Sequence, residues 1–522
     1  MIGFSAFSGE VPRTGPRLLA ANSSTHAMNT RLESGTLEPV RLSRFEESMP
    51  NFCQTIYRFG GKWYGWAGVV NVAPAPIAAD RLYVMGDGVP KVIIQGKTYN
   101  LKIIPPTVAL TATVVGTPDK DLSSMILYAY TWVTEYGEES EPSPLGLEKE
   151  WSPSLDVVVE GFQQPTTGRA ITKQRIYKSQ TSALGVTSLF FIHERDASTL
   201  PFTDKAGENP MGEPLPSTDY NSPPDDLVGL KSGPNGIMAA FRGKELYFCE
   251  PYLPHAWPEK YVLKTDYKIV ALAWFDSSLA ILTEGSPYVA QGIAPDSMAM
   301  ERIRVNYPCV SPQGVVDLGY SVAYPSNEGL ILVSASSASV VTTPLFTREQ
   351  WFGLSPNTIV AGSFSGKYIM GYTKLGASES ELLIIDLTGS APFLSRSNQN
   401  ALAMYNEVGT GELFTLRDGV DVYQWDSPDQ PYAHQVWRSK PFVLPGHSSF
   451  GVMMVETPDL KPGDNIKVTI TADGRVMTVT KPNVPVRLKA GFRALEWQVT
   501  IEGNVPVSAL RLATGIDDLV GG

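Results

Sequence analysis

Hydrophobic positions along this chain cluster in short runs of three to seven residues cut by turn signals, the texture of strands rather than of amphipathic helices. Between residues 63 and 104 the runs Arg81-Leu82-Tyr83-Val84-Met85, Lys91-Val92-Ile93-Ile94 and Thr98-Tyr99-Asn100-Leu101-Lys102-Ile103 flank turns such as Gly86-Asp87-Gly88, which predicts a strand meander. Pro105-Pro106 ends it. Residues 107–115 and 125–133 then alternate strongly, and 155–160 and 175–178 follow at the spacing of a fibronectin-type or immunoglobulin-like sandwich. Residues 205–226, aperiodic and proline-rich, read as a linker back to the main body.

From residue 227 a unit of strand, polar turn and strand recurs. Its copies begin near 236, 269, 314, 359 and 401, roughly 33, 45, 45 and 42 residues apart, the repeat length of a four-stranded propeller blade. With the meander before the sandwich, these predict an all-β fold: a β-propeller of about six blades with an inserted sandwich and a C-terminal β module. The alternative from spacing alone is a set of unrelated meanders. The predicted divisions are 1–50, an extended N-terminal arm; 51–104, the first propeller strands; 105–226, the inserted β-sandwich; 227–440, the blades; and 441–522, the C-terminal module. The arm is expected to carry one short helix near residues 24–32 and to be ordered only against another body.

Composition supports the β reading. The 46 Gly and 41 Pro among 522 residues disfavour long helices, and only 18% of residues are charged. The net charge of −11 advertises no basic face, so non-specific nucleic-acid affinity is not expected. Cys53, Cys249 and Cys309 are too far apart and too few to suggest a disulfide framework or a zinc site, and read as buried thiols. The start lacks the basic and apolar regions of a signal peptide, and no apolar run reaches about 18 residues, so stable membrane insertion is not expected and synthesis is placed in the cytoplasm.

Motifs for catalysis are absent. There is no G-x-S-x-G; Gly96-Lys97-Thr98 resembles the end of a P-loop, but Lys91 stands where its first glycine is needed. His193-Glu194 lacks a second histidine because position 197 is Ala, and His26, His255, His434 and His447 are scattered. Trp425-Asp426 occurs once, not per repeat, and Asp276, Asp317 and Asp386 suit polar turn or strand positions. The chain therefore reads as a non-enzyme, with no catalytic, metal or cofactor site.

Several strings together are more specific. Phe7-Ser8-Gly9-Glu10-Val11-Pro12-Arg13, with Asn29, Leu32, Gly35 and Leu37-Glu38-Pro39, resembles the opening of tail nozzle or tail hub proteins of short-tailed bacteriophages. Tyr130-Thr131-Trp132-Val133-Thr134-Glu135-Tyr136-Gly137-Glu138-Glu139-Ser140 resembles their sandwich insertion. Phe248-Cys249-Glu250-Pro251-Tyr252-Leu253-Pro254-His255-Ala256-Trp257-Pro258, Gly285-Ser286-Pro287-Tyr288 and Phe346-Thr347-Arg348-Glu349-Gln350-Trp351 resemble their propeller core, and residues 497–510 extend the likeness over nearly the whole chain.

The resemblance implies a virion structural protein of the tail, assembled in the host bacterial cytoplasm. It would form a homo-hexameric ring below the portal-bound adaptor, retaining the packaged genome, conducting it at ejection and contacting fibres or spikes. Pro12, Arg13, Pro16 and Arg17 become candidates for a subunit or adaptor contact arm, while the channel-lining residues stay unassigned. An acidic wall suits transient, non-adhesive passage of DNA, since like charge repels phosphate. The rival expectation is a receptor- or glycan-binding propeller on the tail, but Trp257, Trp274, Trp351 and Trp425 fall at inconsistent places in the repeats.

Overall fold

A computed structural model describes residues 1–76, 80–181, 187–377, 380–387, 391–489 and 491–520. The chain is all-β and propeller-like, as the alternation predicts. Among the described residues its α-helices are two short ones, Arg348–Gly353 and Asp517–Val520. It divides into two compact units, Val70–Ser277 with Ala290–Met300, and Met1–Val69 with Ser278–Val289 and Glu301–Gly522.

In the first of these units, Asn71–Pro74, Arg81–Met85, Lys91–Ile94 and Lys97–Asn100 form a four-stranded antiparallel meander. Val228–Ser232, Met238–Arg242, Glu245–Phe248 and Leu263–Lys264 form a second. Tyr83, Met85, Val92, Ile94, Leu230 and Met238 share one core with Trp257, so the two meanders bury their apolar faces together. Between them in sequence lies the sandwich. One sheet is Thr111–Val115, Asp156–Glu160 and Phe202–Asp204, and the other is Tyr128–Thr134, Ile171–Thr181 and Thr187–Asp196. Ser124–Ile126 pairs separately with Lys149–Trp151, so the run expected as one strand over 125–133 is broken at Leu127 and serves two sheets. Tyr128–Thr134 is buried on both faces: Tyr128, Tyr130 and Trp132 enter the sandwich core, and Thr131 donates its hydroxyl to Glu139 on the other side.

The other unit holds three further meanders. They are Val316–Asp317 through Ala338–Val340, Val360–Phe364 through Phe393–Ser397, and Ala403–Asn406, Leu413–Arg417 and Asp421–Gln424 with Arg44–Ser48. Four more strands, Ile269–Phe275, Ser278–Thr283, Tyr288–Gln291 and Ala299–Arg302, lie where the chain passes between the units. That makes six blade-like sets of four strands among the described residues, apart from the four-stranded sheet that Ile2–Phe4 forms with Ala509–Ala513, Val452–Glu456 and Val486–Arg487.

Residues 1–50 are not an arm awaiting a neighbour. Arg44–Ser48 is the fourth strand of a blade whose other three strands lie near residue 400, and Ile2–Phe4 pairs with Ala509–Ala513. The helix expected near 24–32 is a strand, Ser24–Met28, followed by Thr30–Arg31; Thr25 and Thr30 favour extended backbone, and Asn29, at φ 54°, breaks the run between them. Ser24–Met28 lies antiparallel to Gln435–Ser439 and meets Phe393–Ser397 in parallel at Met28 and Arg396. It thereby joins a blade to the sheet of the C-terminal module, Gln435–Ser439, Ala494–Gly503, Ile466–Ala472 and Arg475–Val479. Phe4 and Phe7 set their rings edge-on to Trp437 at 5.2 and 5.1 Å, in the core that also holds Trp497. The hairpin Thr55–Phe59 and Lys62–Trp66 likewise belongs here, with Ile56 packed among Ala403, Phe414 and Leu416, and the first meander of the other unit starts only at Asn71.

Candidate interaction surfaces

The four residues marked as a contact arm have different fates. The Arg13 amide donates to Leu345 O (2.8 Å) and its guanidinium to Thr343 O (2.7 Å), so Arg13 is held within its own chain. Pro12 O accepts from Gln350 Nε2 (3.0 Å), and Gln350 closes a capping box with Thr347 at the start of Arg348–Gly353. Pro16 opens the 3-10 turn Pro16–Leu18, and Arg17, paired with Glu496 at 2.9 Å, keeps its side chain 70% exposed. Pro16, Arg17 and Leu18 are exposed, with Leu18 82% open to solvent.

A polar groove of about 540 Å³ opens beside Ser24–Met28, lined by Glu10, His26, Glu381, Arg396, Asn398 and Gln399. Its charges are mutually satisfied. Glu10 holds Arg396 with both oxygens and accepts from Ala27 N (2.9 Å); Glu381 accepts from Tyr372 Oη (2.7 Å) and Lys374 Nζ. Burial lowers the pKa of His26 against the pull of Glu10. Burial also pushes the Cys249 and Cys309 thiols up to about 12, so neither is a ready nucleophile, and all three cysteines are buried and unbridged. Among the described residues no three His, Cys, Asp or Glu side chains gather as a metal ion would require.

A second polar cluster fixes the sandwich to the meanders of its own unit. Glu138 receives Arg169 at 2.5 Å and Arg81, from Arg81–Met85, at 3.3 Å. Glu139 receives Arg175 and the Tyr177 hydroxyl, each at 2.6 Å, and its carbonyl lies 3.2 Å from His255 Nε2. Burial opposes ionisation of Glu138, yet the guanidinium charges of Arg169 and Arg81 outweigh it and its pKa is lowered. Burial drives His255 down to about 4 although Glu138 pulls the other way, so this imidazole is neutral near pH 7. The sequence reading assigned no role to this cluster. The signal available to it was a run of four acids, Glu135, Glu138, Glu139 and Glu141, within seven residues that hold no Lys or Arg.

Surface charge is strongly segregated. Residues 105–226 hold 18 Asp and Glu against 8 Lys and Arg, a net of −10 in a chain of −11. In and around the paired strands Ser124–Ile126 and Lys149–Trp151, Asp119, Asp121, Glu148 and Glu150 are exposed, as are Leu122, Met125 and Leu147. The opposite holds at the C-terminal module. From Gly474 to Leu495 there are five basic residues, Arg475, Lys481, Arg487, Lys489 and Arg493, and no acidic one, and all five are exposed. Arg475 lies 4.8 Å over the ring of Phe492; among the described residues none of the other four makes an ion pair. Net charge alone conceals this basic stretch. A running charge count along the chain reveals it.

No protein-family model matches the chain, and no curated protein matches it in sequence. Solved structures similar in arrangement include the AfRom2 CNH domain (9% identity, 62% of this chain and 93% of that one, TM-score 0.27). The dihydro-heme d1 dehydrogenase NirN in complex with DHE (11%, 71% and 74%, 0.28) and the N-terminal domain of Nup159 (8%, 77% and 98%, 0.24) are also similar. At these TM-scores the blade-like architecture rests on the chain's own sheets, and no function follows from the likenesses.

Proposed function

We propose that the protein is a structural component of a short-tailed phage tail, a ring-shaped nozzle or hub below the adaptor that retains the genome and conducts it at ejection. The observation that carries this reading is where the resembling strings lie. Within one unit, Phe7 to Arg13 meets Phe346 to Trp351: Pro12 O accepts from Gln350 Nε2 and the Arg13 guanidinium donates to Phe346 O (3.4 Å). Within the other, Tyr130 to Ser140 meets Phe248 to Pro258 through Glu139 O and His255. Four of the strings that carry the resemblance thus meet in pairs, each pair inside one unit, which supports a rigid scaffold. The acidic balance supports passage of DNA without adhesion.

The glycan-binding alternative draws less support. Trp257, Trp274, Trp351 and Trp425 are all buried, so none presents an open ring face for stacking on a sugar. Electron microscopy of the purified protein, or of the virion, tests the proposal. A ring with an axial channel in line with the portal is expected; a monomer without a channel refutes it.

A further inference from the structure

The basic stretch 475–493 is built into the rim of the C-terminal module. Arg475–Val479 is the last strand of the module's large sheet, and Val486–Arg487 is the last strand of the sheet that also contains Ile2–Phe4, Ala509–Ala513 and Val452–Glu456. The same stretch thus supplies the terminal strand of both sheets and presents Val476 and Val484, 64% and 47% exposed, among its cations. Five uncompensated positive charges beside exposed aliphatic groups do not describe a surface made only to stay wet. Cations on edge strands discourage addition of a further strand, so a partner would be met by side chains, not by backbone pairing.

We propose that this basic rim docks on the acidic face of the inserted sandwich, around Asp119, Asp121, Glu148 and Glu150, of a second copy of this chain. Three observations favour that occupant. The complementary charge is supplied by the chain itself, since residues 105–226 carry nearly all of its negative balance. Both faces carry exposed aliphatic side chains, Val476 and Val484 on one and Leu122, Met125 and Leu147 on the other, which a phosphate backbone would leave unused. The rim offers no exposed aromatic ring for base stacking either, because Phe492 is half-buried beneath Arg475. Two different faces meeting make a head-to-tail contact, which propagates from copy to copy and closes as a ring when the rotation permits. The contact deepens the ring reading and rests on it.

The test is a charge exchange on the full chain. Set one is Lys481→Glu, Arg487→Glu and Lys489→Glu; set two is Asp119→Lys, Asp121→Lys, Glu148→Lys and Glu150→Lys. All seven side chains are exposed or at the rim, and circular dichroism and melting verify folding. Wild type is expected to self-associate at low salt, measured by light scattering. Each set alone should weaken association about a hundredfold. Mixing the two variants should restore it, because reversed rim then meets reversed sandwich. Association unchanged by either set, or no restoration on mixing, overturns this contact while leaving a ring possible by another surface. A wild type that stays monomeric removes both readings. Duplex DNA bound through the rim without self-association overturns the proposal in favour of a nucleic-acid surface.

Discussion

Glu10 holds Arg396 by a two-oxygen grip, with Nε at 3.0 and 3.1 Å and Nη2 at 3.0 Å, although 386 residues separate them in the chain. Only 6% of the Glu10 side chain is exposed. The pair lies where Ser24–Met28 inserts between a blade and the C-terminal sheet, and Glu10 also accepts from Ala27 N. Glu10→Ala leaves the guanidinium without its partner and is expected to cost about 3 kcal/mol. Replacing both residues by Met should cost less than the single change, because no buried charge is stranded. Urea midpoints of the three proteins decide; a double variant less stable than Glu10→Ala contradicts this account.

His255 predicts an acid-sensitive joint. Its folded pKa of about 4 lies below the ordinary 6.5, chiefly because burial disfavours the charged ring. Between pH 6.5 and about 4 the unfolded chain binds a proton that the folded chain does not, so stability falls as pH falls through that window and is fully present above it. The difference amounts to about 3 kcal/mol at most. The protection factors of amides in Tyr128–Thr134 that exchange by global opening should fall more than tenfold from pH 7 to pH 5, although intrinsic exchange itself slows over that range. His255→Gln, which keeps a donor for Glu139 O, should lose that fall in protection.

Alternation and repeat spacing made the strands, the inserted sandwich and the recurring hairpins legible, because a half-buried strand writes its two faces into successive residues. What they could not convey is pairing at long range. Arg44–Ser48 looks like a charged, aperiodic arm because its partner, Asp421–Gln424, lies almost 380 residues downstream, and an outer blade strand buries little. Ser24–Met28 is similarly masked: both its edges are occupied, but apart from Met28 its side chains are small or polar. The surfaces were hidden for another reason. An overall charge of −11 averages an acidic sandwich with a basic rim, and only position along the chain separates them.

Trp351 ties the short helix Arg348–Gly353 to a neighbouring blade. Its Nε1 donates to Ser326 O at 2.7 Å and its ring is 1% exposed, packed at 5.9 Å from Phe346. A helix of six residues does not hold itself in water. Trp351→Ala is therefore expected to cost about 4 kcal/mol and to free Gln350 from Pro12, exposing the 8–18 segment to protease. Thr347→Ala removes only the cap, costing about 1 kcal/mol, and should leave that segment protected. Equal cleavage in both variants would mean that the cap, not the indole, holds the helix.

Gly503 meets a constraint set by the backbone of Asn465 and Ile466. It pairs with Gln435 on one strand and Ile466 on the other, its φ is +151°, and a Cβ there would lie 2.3 Å from Asn465 O. A carbonyl in a sheet cannot turn aside as a side chain can, so the strands themselves must part. Gly503→Ala should combine conformational strain with overpacking, about 3 kcal/mol together. Gly474 offers the control, since it has φ +81° in a turn with nothing within 4 Å of a Cβ, and its change to Ala should cost about 1 kcal/mol from backbone conformation alone. Thermal melting should therefore rank the proteins wild type, Gly474→Ala, Gly503→Ala in falling order. If the last two are equal, the sheet around Gly503 yields, and the close approach of Asn465 O does not govern its stability.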